Sequence, residues 1–143
     1  MDYNQVASEL EAIAETCGIN ALDYVPDDLP NKAFYVGEMD IEPNQSFNKV
    51  KPDGSRAGTD KAQITCRVLI ARSTDKHAVK KMRTYLAGGG DASLLQALQA
   101  KSHDPEMPWT GLVVTAMRGN RMFSVGESKF YGTEIEINVV GVA

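Results

Sequence analysis

The sequence predicts an α+β fold: a mixed, largely antiparallel sheet with an N-terminal helix and a central helix pair packed on one face. Three observations lead there. Helical hydrophobic spacing opens the chain and returns only near its middle. Strand-period alternation fills the stretch before that middle and nearly everything after it. Turn-rich connections at both ends suit antiparallel neighbours. The 143 residues are read as one domain, and 43% hydrophobic with 24% charged residues is a globular composition.

The first element is a helix. Val6, Leu10, Ile13 and Cys17 recur at steps of four, three and four, which marks one helical face. Asp2 or Asn4 serves as its N-cap, Gly18 as its left-handed C-terminal residue, and Ile19 as the apolar contact after it. From Ala21 to Pro30, two prolines and the acidic pair Asp27-Asp28 predict an extended connector. A short strand follows over 33–41. Residues 43–60 are the most loop-like part of the chain. Pro52-Asp53-Gly54 is a turn signal, Gly58 a second breaker, and Phe47 and Val50 supply most of the apolar content. So little apolar surface cannot offset the ordering entropy of the backbone, and the loop is expected to be mobile in an isolated subunit.

Lys61–Ser73 is the strongest strand pattern. Ala62, Ile64, Cys66, Val68 and Ile70 share one face; Gln63, Thr65 and Arg67 share the other. Asp75 opens a second helix reaching Ala87, with an apolar stripe of Val79, Met82 and Leu86. Gly88-Gly89-Gly90 reads as a cap and flexible joint, and Leu94, Leu95 and Leu98 carry a third helix over 92–100. Strands over 110–117 and 121–125 flank Gly119-Asn120, read as a two-residue hairpin turn. The closing strand, 131–142, sets Ile135, Ile137 and Val139 opposite Glu134, Glu136 and Asn138. The expected core is Val6, Leu10, Ile13, Ile64, Val68, Ile70, Val79, Met82, Leu86, Leu98, Ile135 and Ile137.

The chemistry is sparse. Nineteen acids against fifteen bases give a net charge of −4, which disfavours general affinity for nucleic-acid phosphates. Cys17 and Cys66 are too few and too far apart for a disulfide framework or a zinc site, and read as reduced, partly buried thiols. The first residues lack the basic and apolar regions of a signal peptide, and no apolar run approaches the roughly 18 residues that span a bilayer. Gly88-Gly89-Gly90 lacks phosphate-loop spacing, His77 and His103 lack partners at metal-ligand spacing, and Ser128 is no nucleophile elbow. Turn chemistry explains Asp27-Asp28 and Asp104-x-Glu106 more economically than cation binding. No catalytic residue, cofactor or metal is expected.

Two basic features and one charged face stand out as a candidate assembly interface. The long loop interleaves Lys49, Lys51, Arg56 and Lys61 with Asn, Gly and one phenylalanine, Phe47. The second helix carries Lys76, Lys80, Lys81 and Arg83. On the solvent face of the sheet, Arg67 lies on one strand with Glu134 and Glu136 on another, and the three form cross-strand pairs if those strands are neighbours. Such charges set association rate and register against a partner surface.

Four stretches, in order, carry a family likeness. They are the first helix running into Leu22-Asp23-Tyr24-Val25-Pro26 and Pro30-Asn31-Lys32-Ala33-Phe34-Tyr35-Val36-Gly37; Val68-Leu69-Ile70-Ala71-Arg72-Ser73-Thr74-Asp75; Met82-x-x-x-Leu86, Gly88 and Ser93-Leu94-Leu95-Gln96-Ala97-Leu98; and Tyr131-Gly132-Thr133-Glu134-Ile135-Glu136-Ile137-Asn138-Val139. Over nearly its whole length the chain resembles the tail terminator proteins of long-tailed, non-contractile bacteriophages, especially those infecting actinobacteria. The resemblance implies a small α+β subunit of a homo-oligomeric ring, commonly a hexamer. Such a ring caps the last ring of the tail tube protein, stops polymerisation, and offers a surface to the head-side connector or head-closure protein. It implies a virion location in the neck, synthesis in the host cytoplasm, no catalytic residues and no membrane. DNA would pass through the lumen without specific binding, which an acidic or neutral lining favours. The nearest alternative is another ring component, a head-closure or tail-tube protein, but those are mostly β and lack the helix pair. A small enzyme using Asp27, Asp28 or His103, or a monomeric ligand-binding module, are the readings from other classes.

Overall fold

The computed structural model describes residues 1–22, 33–42, 52–54, 58–72, 78–125 and 128–142. In chain order the elements are α1 (Tyr3–Thr16), β1 (Asn20–Leu22), β2 (Ala33–Glu42), β3 (Thr59–Arg72), α2 (Ala78–Leu86), α3 (Leu94–Ala100), β4 (Gly111–Val125) and β5 (Ser128–Val142). The strands form one five-stranded sheet in the order β1-β2-β3-β5-β4. Only the β1–β2 pair is parallel; β2–β3, β3–β5 and β4–β5 are antiparallel. The fold is therefore the mixed, largely antiparallel α+β sheet that the hydrophobic periods predict.

Local chemistry fixes the helix ends. Asp2 Oδ1 accepts from the Asn4 and Gln5 N–H groups at 3.0 and 3.2 Å, so Asp2 rather than Asn4 is the N-cap of α1. At the other end Gly18 takes φ +83°, its N–H donates to Glu15 O, and Ile19 N–H donates to Ala14 O. These are the two bonds of a Schellman motif, and they turn buried Ile19 back under the helix. Ser93 caps α3 by accepting from Gln96 N–H at 3.1 Å, while Gln96 Oε1 accepts from Gly90 N–H at 2.8 Å. The glycine run thus joins α2 to α3 and is held by the side chain of the helix it precedes.

One face of the sheet carries the main core. Ile64, Cys66 and Val68 of β3 and Ile135, Ile137 and Val139 of β5 are all fully buried. They pack with Val6, Leu10 and Ile13 of α1, Tyr85 of α2, and Leu94 and Leu98 of α3. Trp109 joins this cluster and donates its indole N–H to Lys101 O at 2.9 Å, tying the connection after α3 to the core. Most of the expected core is therefore in place. Leu86 packs only against its margin, and the side chains of Ile70, Val79 and Met82 lie outside the described set. Both thiols are buried, and burial, helped by the charge of Glu11, pushes Cys66 far above its ordinary pKa.

A second, smaller cluster lies on the opposite face, where none of the described helices packs: Ala33, Tyr35, Leu69 and Phe130, with Leu22 and Phe123 at its edge. Gly132 makes it possible. A Cβ there would stand 2.6 Å from Val68 O and 2.7 and 2.9 Å from the side chains of Leu69 and Phe123.

Three expectations need correction. The stretch after Gly18 is not all connector, because Asn20–Leu22 form β1 alongside Ala33–Tyr35. The rest of that connector lies outside the described residues. Strand β3 begins at Thr59, two residues early, which takes Asp60 out of the loop and buries it; its carboxylate faces the Met1 amine at 3.4 Å. The remainder of the loop, apart from the exposed Pro52–Gly54 turn, lies outside the described residues, as does the start of the second helix before Ala78. The largest error concerns Gly119-Asn120. It is not a hairpin turn: β4 runs through it unbroken, and the irregularity there is a shift of register between Arg118 and Arg121. A glycine inside a strand pattern marks a bulge as readily as a turn.

Truncating Ile137 to Ala will destabilise the fold by about 2–5 kcal/mol, the range for a fully buried β-branched side chain, in a urea titration followed by circular dichroism. Gly132→Ala, although it adds only a methyl group, will also destabilise, because two of its three close neighbours are packed side chains and the third is backbone. A second expectation concerns the thiols. Cys66 will resist a thiol-reactive disulfide reagent in native buffer and react only as the chain unfolds; rapid native labelling would place it at the surface.

A candidate assembly surface

The helix-free face of the sheet gathers charges from three strands. Arg67 on β3 stands directly opposite Glu134 on β5, and Glu134 is in turn opposite Arg118 on β4. Arg67 Nε lies 3.6 Å from Glu134 Oε2, an ion pair too long for a direct hydrogen bond. Arg118 Nη1 donates to Glu136 Oε1 at 2.7 Å and lies 3.6 Å from Glu134 Oε1. The strand period places these groups together: Glu134 and Glu136 alternate with the buried Ile135 and Ile137. The cross-strand pairing expected from sequence is present, and β3 and β5 are indeed neighbours.

Arg67 is further engaged. Its guanidinium sits over the Phe123 ring at 5.4 Å from the centroid, within cation–π range. Tyr35 is its opposite number on β2. Burial works against the Arg67 charge, but Tyr35 and Glu134 outweigh it and hold the guanidinium above its ordinary pKa. Arg118 is held up chiefly by its hydrogen bond to Glu136. The bulge that carries Arg118 is itself pinned, since buried Thr133 donates its hydroxyl to Arg118 O at 2.6 Å. What results is a set of ion-paired, half-buried side chains spread over three strands.

The remaining expected interface residues do not join it. Lys80 and Arg83 are exposed on α2, within the helix layer on the other side of the sheet. Lys76, Phe47, Lys49, Lys51 and Arg56 lie outside the described residues, as does the side chain of Lys81. Sequence reading missed Arg118, because a hairpin at Gly119-Asn120 would have put it at a turn. It also missed Phe123 and Tyr35, whose strand alternation was available but whose neighbours were not.

The described residues hold other concavities. One of about 450 Å³ is lined by His103, Asp104, Trp109 and Thr110. Its polar groups are committed to the local loop. His103 Nδ1 lies 3.2 Å from Thr110 O, and Asp104 accepts from Glu106 N–H at 3.0 Å and from Lys101 Nζ at 2.9 Å. The Glu106 N–H, then Lys101, hold the Asp104 carboxyl below its usual range, which is the turn chemistry its sequence suggested. Among the described residues no group of three or more His, Cys, Asp or Glu is placed to hold a metal ion. No helix among them is long and apolar enough to cross a membrane.

No protein-family model matches the chain, and no curated protein resembles it closely enough to count as a relative.

The ion pairs on the bare face will contribute little to folding. A double-mutant cycle with Arg67→Met and Glu134→Gln, read by urea denaturation, will return a coupling of about 0.2–1 kcal/mol, because at 3.6 Å the pair makes no direct hydrogen bond to offset the burial of the Arg67 charge. A coupling several times larger would make the cluster part of the fold's stability instead of a surface available to a partner.

Proposed function

We propose that the chain is a ring-forming assembly subunit, the tail terminator of a long-tailed phage, which caps the tail tube and presents a joining surface to the head-side connector. The observation that carries the reading is the ion-paired sheet face against which none of the described helices packs. Enzymes converge catalytic groups in a concave site; here the charges of Arg67, Arg118, Glu134 and Glu136 spread over three strands of an open surface. The likeness to tail terminators in four ordered stretches supports the same reading, and those stretches contribute to every helix and to all strands except β4.

The balance of charge also suits a ring that encloses DNA. Two arginines and two glutamates cancel on this face, and exposed Asp40 and Glu42 add two acids against one base, the exposed Lys61 opposite Glu42. A lining of that kind does not retain phosphates. The helix layer offers a separate, basic surface at Lys80 and Arg83, suited to an acidic partner such as the rim of a tube or connector.

Negative-stain imaging of tail tubes grown with and without the protein tests the reading. Tubes of uniform length with a ring at one end are the expected outcome, and tubes indifferent to the protein would refute it. Reversing Lys80 and Arg83 to Glu will leave the circular dichroism and melting temperature unchanged while weakening capping and its salt dependence. Undiminished capping across salt concentrations would take α2 out of the interface.

A further inference from the structure

We infer that subunits join head to tail by pairing the β4 edge of one copy with the β2 edge of the next, so that the sheet continues from subunit to subunit. The inference deepens the ring reading and rests on it for closure of the assembly. Three observations support it.

Both edges are open among the described residues. Strand β4 pairs only with β5 along its whole length. On the other side β1 covers only Ala33–Tyr35, leaving Val36–Glu42 of β2 with no strand beside it. Open backbone donors and acceptors are a template for another strand. Of the four exposed large hydrophobic residues among those described, Ile41 lies on β2 and Val113 and Met122 on β4, so three mark these two strands.

The directions and levels match. Strands β2, β3, β5 and β4 alternate in direction, because each is antiparallel to the next. A copy rotated about an axis along the strands therefore sets its β2 antiparallel to β4 and keeps its helix layer on the same side. Both edges are interrupted by bulges, a device that usually discourages pairing, yet each keeps a regular stretch of four residues: Met39–Glu42 and Gly111–Val114. These stretches are level across the sheet. Glu42 aligns through Lys61 and Val140 with Gly111, and Asp40 through Gln63 and Asn138 with Val113.

Charge tells the pairings apart. Over its open stretch β2 contains Glu38, Asp40 and Glu42 and no base, while Gly111–Val114 of β4 is uncharged. A β2–β2 pair would set like charges opposite each other, whereas the acidic β2 edge meets no like charge on β4.

The test is a charge swap in the full chain, read by light scattering over a concentration series. The parent chain is expected to associate with rising concentration. Val113→Glu, level with Asp40 of the neighbour, will abolish association while leaving the thermal melt unchanged. Adding Asp40→Lys to the same chain will restore it. Within one subunit the two positions lie on opposite edges of the sheet, so rescue requires contact between copies. A parent that stays monomeric throughout, a Val113→Glu chain that associates as before, or a failure of Asp40→Lys to rescue would each overturn the inference. If the swap behaves as expected but the rings leave tail tubes uncapped, the edge pairing stands and the terminator reading fails.

Discussion

The structure depends on one burial event: the apolar face of the β3–β5 pair against three helices. Six side chains, Ile64, Cys66, Val68, Ile135, Ile137 and Val139, form the floor, and α1, α2 and α3 each set at least one buried residue on it. Non-directional burial of this kind is the dominant favourable term in folding. Everything else is arranged around it. The Schellman turn at Gly18 returns the chain from α1 to the sheet, Ser93 starts α3 at the right place, and Trp109 anchors the chain where it leaves the helices for β4.

Because the strand period is two, burying one face commits the other. Once Ile135 and Ile137 point at the helices, Glu134 and Glu136 must point away, and Arg67 must meet them. The charged face is thus a by-product of the core's register as much as a feature of its own. Half of that opposite face is not polar at all. Leu69 and Phe130 are nearly as buried as the main core, beside Gly132, where the missing side chain lets them close in. The bare face is therefore split into an apolar end, built near Tyr35 and Phe123, and a charged end.

Periodicity made the long elements legible. The spacing of Val6, Leu10 and Ile13 and the alternation through β3 and β5 each carry enough repeats to outvote local exceptions. The cross-strand pairing of Arg67 with Glu134 followed once β3 and β5 were assigned as faces. What could not be read were places where one residue type serves two geometries. Gly119-Asn120 has the chemistry of a tight turn, but pairing with β5 on both sides of it kept the strand intact and made it a bulge. Strand β1 is only three residues long, too short for a pattern, and exists because β2 lies alongside it. Arg118 was hidden by the same glycine, since its role depends on which side of a turn it occupies.

The chain contains a single tryptophan, and its position has an optical consequence. Trp109 is buried in the helix-side core, with its indole bonded to Lys101 O, and the whole thickness of the sheet separates it from the charged face. Its emission reports the integrity of the helix layer and is blind to what touches the opposite surface. The protein thus carries a native fluorophore that follows the helix-side core, while binding at the charged face proceeds in the dark.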